Sequence, residues 1–296
     1  MAPERMVFTE TYKKRIQMSQ LFNINLESYK TLANIQRIVL ESDESNILLD
    51  FSKTEYIDAI YMAFIGGMRE LSKSYNKKVS YRIQRNTKLY NYFKNSGLYE
   101  YFKHGESYIS KNSIPFSEIH MEEESIVEYI NRILSLAPIN LSSKAESYLF
   151  TNIYEIFSNS SDHSEAQSGV YACGHWMPTK KQLEFSVYDT GIGIPTVIKK
   201  HIDSKMTSAE ALRWALTTGN STKQLNDGVP RGVGLPNLLD FIGLNNGSLY
   251  ILSNDIYYSY ENGNERFIPL GHSVIGTMIS FIIISDNDHI YKLQEE

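Results

Sequence analysis

Apolar residues recur along this chain in two rhythms, one of strands and one of helices. Asn46-Ile-Leu-Leu-Asp-Phe-Ser52 has the length and content of a buried strand, and Lys78-Val-Ser-Tyr-Arg-Ile83 reads as a second. Between them, Ile57 to Tyr75 spaces its apolar residues as a helix does, and Asn86 to Phe93 predicts another helix ending near Gly97. Alternating strand and helix predict a small α/β unit over residues 1–110. The polar stretch Lys103 to Ser113 reads as the linker to a second unit, residues 111–296.

In that second unit Glu122 to Leu136 predicts an amphipathic helix, acidic in its first turn, which Pro138 breaks. A further helix is expected from Leu149 to His163, with Asn152, Glu155, Asn159 and Asp162 or His163 on a polar stripe. Leu149, Ile153, Ile156 and Phe157 fall largely on its other side. Gln182 to Tyr188 alternates like a half-buried strand and runs into Asp189-Thr-Gly191-Ile-Gly193-Ile-Pro195. Arg231-Gly232-Val233-Gly234-Leu235 opens a helix, and Val274 to Ile284 reads as a buried strand. Residues 255–273 read as a hairpin or loop inserted before it.

Composition narrows the classes. With 296 residues and 42% hydrophobic content the chain can bury one large core or two modest ones, and two domains are expected. A net charge of -5 argues against a nucleic-acid scaffold, which carries a basic face. No apolar run reaches membrane-spanning length, and the first residues lack a signal-peptide core, so a cytoplasmic protein with no membrane partner is expected. The single cysteine, Cys173, sits in an apolar stretch and reads as a small buried residue. Lysine pairs such as Lys180-Lys181 read as solvated faces, and the many tyrosines as core.

Four segments hold candidate chemistry, each with a plainer reading beside it. On the helix around Asn159, a carboxylate lies one turn from a carboxamide. The amide oxygen of Asn159 is a hard magnesium ligand that adds no negative charge beside phosphates, and Glu155 can accept a proton from an attacking water or hydroxyl. Without the other segments this is an amphipathic helix with a solvated face. Asp189, at a strand end, can accept from the exocyclic amine of adenine, while Gly191 and Gly193 let backbone approach the base. Asp-Thr-Gly is also an ordinary turn, and an aspartic protease would need a second copy that only a homodimer supplies. The glycine turn at Gly232 and Gly234 offers backbone amides to phosphate oxygens, although it is neither a Walker loop nor a dinucleotide fingerprint. The preceding stretch with Thr222 and Lys223 reads as a loop able to close over a ligand, or as a surface linker. Thr277, after Gly276, can bond toward adenine or simply begin a strand.

The order Glu155/Asn159, Asp189-x-Gly191-x-Gly193, Gly232-x-Gly234 and Gly276-Thr277 resembles the GHKL, or Bergerat-fold, ATPases over about residues 140 to 285. A Glu before the Asn and a His, His163, after it is most similar to the anti-sigma-factor serine kinases. The resemblance implies an α/β sandwich, a mixed and mostly antiparallel sheet with helices on one face, holding ATP and magnesium. By position it implies Glu155 as base, Asn159 on magnesium, Asp189 and Thr277 on the adenine side, and Gly232 to Leu235 at the phosphates. Ser160 stands where an Ala commonly follows the Asn. Residues 46–98 resemble a divergent STAS domain, but Ala59 and Ile60 follow Asp58 where an acceptor Ser stands in phosphorylated members. The implied function is transfer of the γ-phosphate to a Ser/Thr of a partner protein, a STAS or sigma-factor-like regulator. Hydrolysis that resets a conformational switch, and a passive ATP-binding module, stay open beside it, as does a homodimer. A histidine kinase would need an acceptor His in a dimerising helix, and the context of His120 lacks one.

Overall fold

The computed structural model describes residues 12–105, 113–119, 122–136, 141–162, 169–220 and 234–284. The amino-terminal part runs β1 (Lys14–Gln17), β2 (Leu21–Phe22), α1 (Leu26–Leu40), β3 (Asn46–Asp50), β4 (Tyr56–Ile57), a short 3-10 turn (Ala59–Tyr61), α2 (Met62–Ser74), β5 (Lys78–Arg82), α3 (Lys88–Asn95) and α4 (Leu98–His104). There follow β6 (Ser113–Ile119), α5 (Glu123–Leu136), α6 (Ser143–Asp162), β7 (Val170–Met177), β8 (Gln182–Asp189), α7 (Ile194–His201) and α8 (Ser208–Ala215). The chain then completes α9 (Gly234–Leu244), β9 (Ser248–Glu261) and β10 (Asn264–Ile284). The protein is of the α/β class.

Strands β1, β3 and β5 form a small parallel sheet in that order, beside a short parallel pair of β2 and β4. The larger sheet has five strands in the order β6-β7-β8-β10-β9, and every neighbouring pair is antiparallel. The stretch expected as a hairpin or loop before the last strand is drawn into two long strands. They meet at Asn262-Gly263, both with positive φ (50° and 76°), the backbone that a tight right-twisted hairpin turn requires.

Both faces of the larger sheet are buried. On one, Leu183, Phe185 and Val187 of β8 join Ile130 of α5, Ile153, Ile156 and Phe157 of α6, and Leu238 and Phe241 of α9 in one apolar cluster. On the other, Tyr171, Cys173, Tyr188, Met278 and Ile282 pack with Tyr29 and Leu32 of α1 and with Phe64 and Ile65 of α2. The helices of the second unit that join these clusters therefore lie on one face, as expected, and the other face is covered by α1 and α2 of the amino-terminal part. Strand β8 is likewise buried on both faces along nearly its whole length, where alternation had suggested a half-buried strand.

Helix α1 went unrecognised in the sequence, although Leu26, Tyr29, Leu32, Ala33 and Val39 follow helical spacing and the Asn25 side chain accepts from Ser28 N to cap its start. The helix expected from Ile57 begins only at Met62, because the preceding residues form β4 and the 3-10 turn. That turn docks on the sheet: Ala59 N donates to the buried Glu184 Oε2 at 3.2 Å. Lys180 is exposed, as expected, and its ammonium also reaches Asp58 (3.6 Å) and Glu184 (3.7 Å), bridging two buried acids. Burial together with the neighbouring Asp58 pushes the Glu184 carboxyl upward. Most of the stretch read as linker, residues 106–112, lies outside the described residues, and Lys103 and His104 still belong to α4.

Candidate functional site

Strand register assembles the first part of the site. Asp189 pairs with Thr277, and Thr277 pairs with Ser253, so three polar residues stand in one row across β8, β10 and β9. Side chains alternate along strands, and residues 183, 185 and 187 of β8, 279, 281 and 283 of β10, and 249 and 251 of β9 all enter the cluster beneath α6 and α9. The polar row thus continues that same face.

Asp189 is almost fully buried and keeps its polar contacts short. Its Oδ1 accepts from Gly191 N at 2.8 Å. Burial pushes its carboxyl up to about 7, against the opposing pull of the Gly191 and Thr277 backbone N–H groups. Thr277 Oγ1 lies 2.9 Å from Ser253 Oγ, which also accepts from Ile194 N at 2.9 Å. Ser253 therefore ties the row to the start of α7. Gly276 has φ +94°, and a Cβ there would lie 2.0 Å from the Asp189 carbonyl oxygen. Only glycine lets β10 come this close to the end of β8.

The turn after Asp189 is clamped from β9. Asn254 Nδ2 donates to Ile192 O (2.9 Å), while its Oδ1 accepts from Thr196 N (3.1 Å) and Thr196 Oγ1 (3.0 Å). Gly193, at φ +85°, passes so near that a Cβ would meet the Asn254 side chain at 2.6 Å. Neither Asn254 nor Ser253 was singled out in the sequence. They carry no motif, and their role arises from a hairpin whose register places them beside the turn.

The second part of the site lies between α6 and α9. Glu155 and Asn159 are both half-buried on α6. The first residue of α9 lies against the Glu155 side chain, so closely that a Cβ on Gly234 would meet its Cβ and Cδ at 2.8 Å. A carboxylate there also faces the positive end of the α9 dipole. Leu235 packs partly into the apolar cluster of the helical face. Ser160 turns its hydroxyl back to Ile156 O at 2.9 Å, so the departure from Ala is satisfied within the helix. Asn152, placed on the polar stripe by spacing, is buried instead: it falls one turn from both Leu149 and Ile156, which face the core.

The structure thus brings Asp189, Gly191, Gly193, Gly276 and Thr277 into one cluster, and Glu155 against Gly234 into another on the same face of the sheet. His163, Thr222, Lys223, Gly232 and Val233 lie outside the described residues, as do His120 and most of the proposed closing loop. Among the described residues no group of three or more His, Cys, Asp or Glu could hold a metal. The half-buried Asn159 offers one amide oxygen, a hard donor of the kind that magnesium takes. No helix among the described residues is long and apolar enough to cross a membrane. No protein-family model matches the chain, and no curated protein matches it.

Proposed function

We propose that this chain binds magnesium-ATP as a GHKL-type ATPase and transfers the γ-phosphate to a serine or threonine of a partner protein, as a cytoplasmic signalling switch. One observation carries the reading. The buried Asp189 carboxylate is held at a strand end by the Gly191 and Thr277 backbone N–H groups, in one row with Thr277 and Ser253, and the turn beside it passes through Gly193 at positive φ. A buried acid among hydroxyls suits recognition of an exocyclic amine, because a carboxylate accepts hydrogen bonds and donates none.

In this reading Asp189 accepts from the adenine amine and Thr277 supports it from the next strand. The start of α9 presents backbone N–H groups toward phosphate oxygens. Magnesium, when bound, neutralises charge on the phosphates, and Asn159 is the side chain that would hold it. Glu155 accepts the proton of the incoming hydroxyl as the new oxygen–phosphorus bond forms and the bond to ADP breaks. The acceptor is taken to be another protein, because Ala59 and Ile60, which follow Asp58 in the STAS-like part, are buried and bear no hydroxyl.

The test is incubation with γ-labelled ATP and magnesium, with and without cell extract, for wild type and Glu155→Gln. Label on a protein band, lost in the variant while ATP still binds, is the expected outcome. Release of free phosphate without labelled protein replaces transfer by hydrolysis. Equal turnover in the variant removes Glu155 as base and leaves it the structural role at the start of α9.

A further inference from the structure

A cavity of about 250 Å³ opens beside β5, remote in the fold from the Asp189 row. Its walls include Tyr81, Tyr99 and Phe102, and three cations stand around it: Arg69, Lys78 and Lys103. The rings are fixed against one another. Tyr81 and Phe102 stack at 4.9 Å with 4° between their planes, and Arg69 lies 4.2 Å above the Phe102 ring.

Strand β5 contributes its backbone as well. It pairs only with β3, at the margin of the small sheet. Lys78 N donates to Ser45 O and Phe51 N to Arg82 O, so residues 78, 80 and 82 bond inward and the backbone groups of Val79 and Tyr81 point outward. Arg69 Nε already meets Val79 O at 3.3 Å. Two acids stand nearby: Glu70, shared between Arg69 and Lys73, and Glu100, beside Tyr99. Lys103 has no ion pair among the described residues and rests 6.0 Å from the Tyr99 ring.

We propose that this cavity binds a small aromatic carboxylate. Ring-lined walls favour a flat apolar body, and the volume lies just under the roughly 300–1,000 Å³ range of drug-sized sites. Lys103 and Arg69 supply charge-assisted hydrogen bonds to the carboxylate. The site does not depend on the nucleotide reading above.

The experiment titrates the full chain, carrying labelled tyrosine and phenylalanine rings, with naphthoate and separately with the neutral naphthalenemethanol. Saturable naphthoate binding is expected, with shifts at Tyr81, Tyr99 and Phe102 and an affinity about tenfold above that of the alcohol. Lys103→Met keeps the apolar stem at an exposed position, and circular dichroism checks its fold. It should weaken naphthoate binding several-fold and leave the alcohol unchanged. Absence of saturable binding, equal affinity for the two probes, shifts confined to other rings, or no effect of Lys103→Met overturns the proposal.

Discussion

Gln36 of α1 and Tyr188 of β8 share a buried hydrogen bond of 2.9 Å, with the Gln36 amide nitrogen donating to the phenolic oxygen. The same side chain donates to Ile275 O (3.2 Å) and accepts from Ile275 N (2.7 Å), immediately before Gly276 and Thr277. Tyr188 in turn precedes Asp189 and donates its own proton to Ile275 O at 2.9 Å. One amide on a helix of the amino-terminal part therefore holds two of the three strands that carry the polar row, β8 and β10.

Gln36→Leu removes these bonds and leaves the Ile275 N–H buried without its acceptor. A loss of about 2–4 kcal/mol is expected from the unmade bonds and the orphaned donor. Urea unfolding measures it. A change within error would mean that the row is held by the sheet alone.

Gly276→Ala should damage the site more than its size suggests. The added carbon meets a carbonyl oxygen at 2.0 Å in a backbone conformation that alanine rarely adopts, so β10 must move away from Asp189. The melting temperature should fall and ATP binding by calorimetry should weaken by about tenfold or more. Gly271→Ala is the matched control, since a Cβ there meets nothing within 4 Å. Equal effects of the two substitutions would refute the steric argument.

Asp189 sets a pH dependence whose sign follows from its raised value of about 7 against an ordinary 3.8. The folded state holds this proton longer than the unfolded state does. Its contribution to the stability of the free protein is complete below the unfolded value and is lost as pH rises through about 7. Adenine recognition by the ionised carboxylate runs the other way, so ATP affinity should increase from pH 6 to pH 8 as the proton leaves, on the order of a few-fold. Asp189→Asn should flatten that rise and weaken binding throughout. A slope that survives in the variant assigns the titration to another group.

Cys173 should be silent in the native protein. It is fully buried on β7, its sulfur lies 3.6 Å from Ile114 O, and burial pushes the thiol up to about 12. Almost no thiolate forms at neutral pH, so a maleimide should label the protein only when it unfolds. Rapid labelling in native buffer would contradict the packing of α2 over that strand.

Gly67→Ala tests the contact between the two parts of the chain. A Cβ on this residue of α2 would stand 2.5 Å from the Tyr188 ring and 2.6 Å from the Tyr171 ring. The helix must lift, and overpacking of this kind costs about 1–3 kcal/mol. Thermal unfolding should show the loss, and unchanged stability would mean that the rings rotate aside.

Local signals carried much of the fold. Strands β3, β5 and β8 and helices α3, α5, α6 and α9 were legible because each has an apolar period of its own with flanking caps or breakers. Strands β6 and β7 were not, because they are buried on both faces; α7 and α8 escaped because each is only eight residues long, although both are amphipathic and α8 opens on a Thr207–Glu210 capping box. Asp189 could be singled out because a carboxylate at a strand end is followed by two glycines, and Glu155 and Asn159 because a carboxylate lies one helical turn from a carboxamide on a polar stripe. Ser253, Asn254 and Gln36 could not, because an isolated Ser, Asn or Gln has many plainer roles.

By itself the amino-acid sequence determined the α/β class, the polar stripe bearing Glu155 and Asn159, and the glycines that bracket the Asp189 turn, all of which follow from neighbours close in the chain. Only the tertiary structure decided that Asp189, Thr277 and Ser253 form one row, that Gly234 lies on Glu155, and that α1 and α2 seal the other face of the sheet. The reason is physical. Register and face are set by burying apolar area on both sides of the central strands at once, and that is a property of the assembled chain.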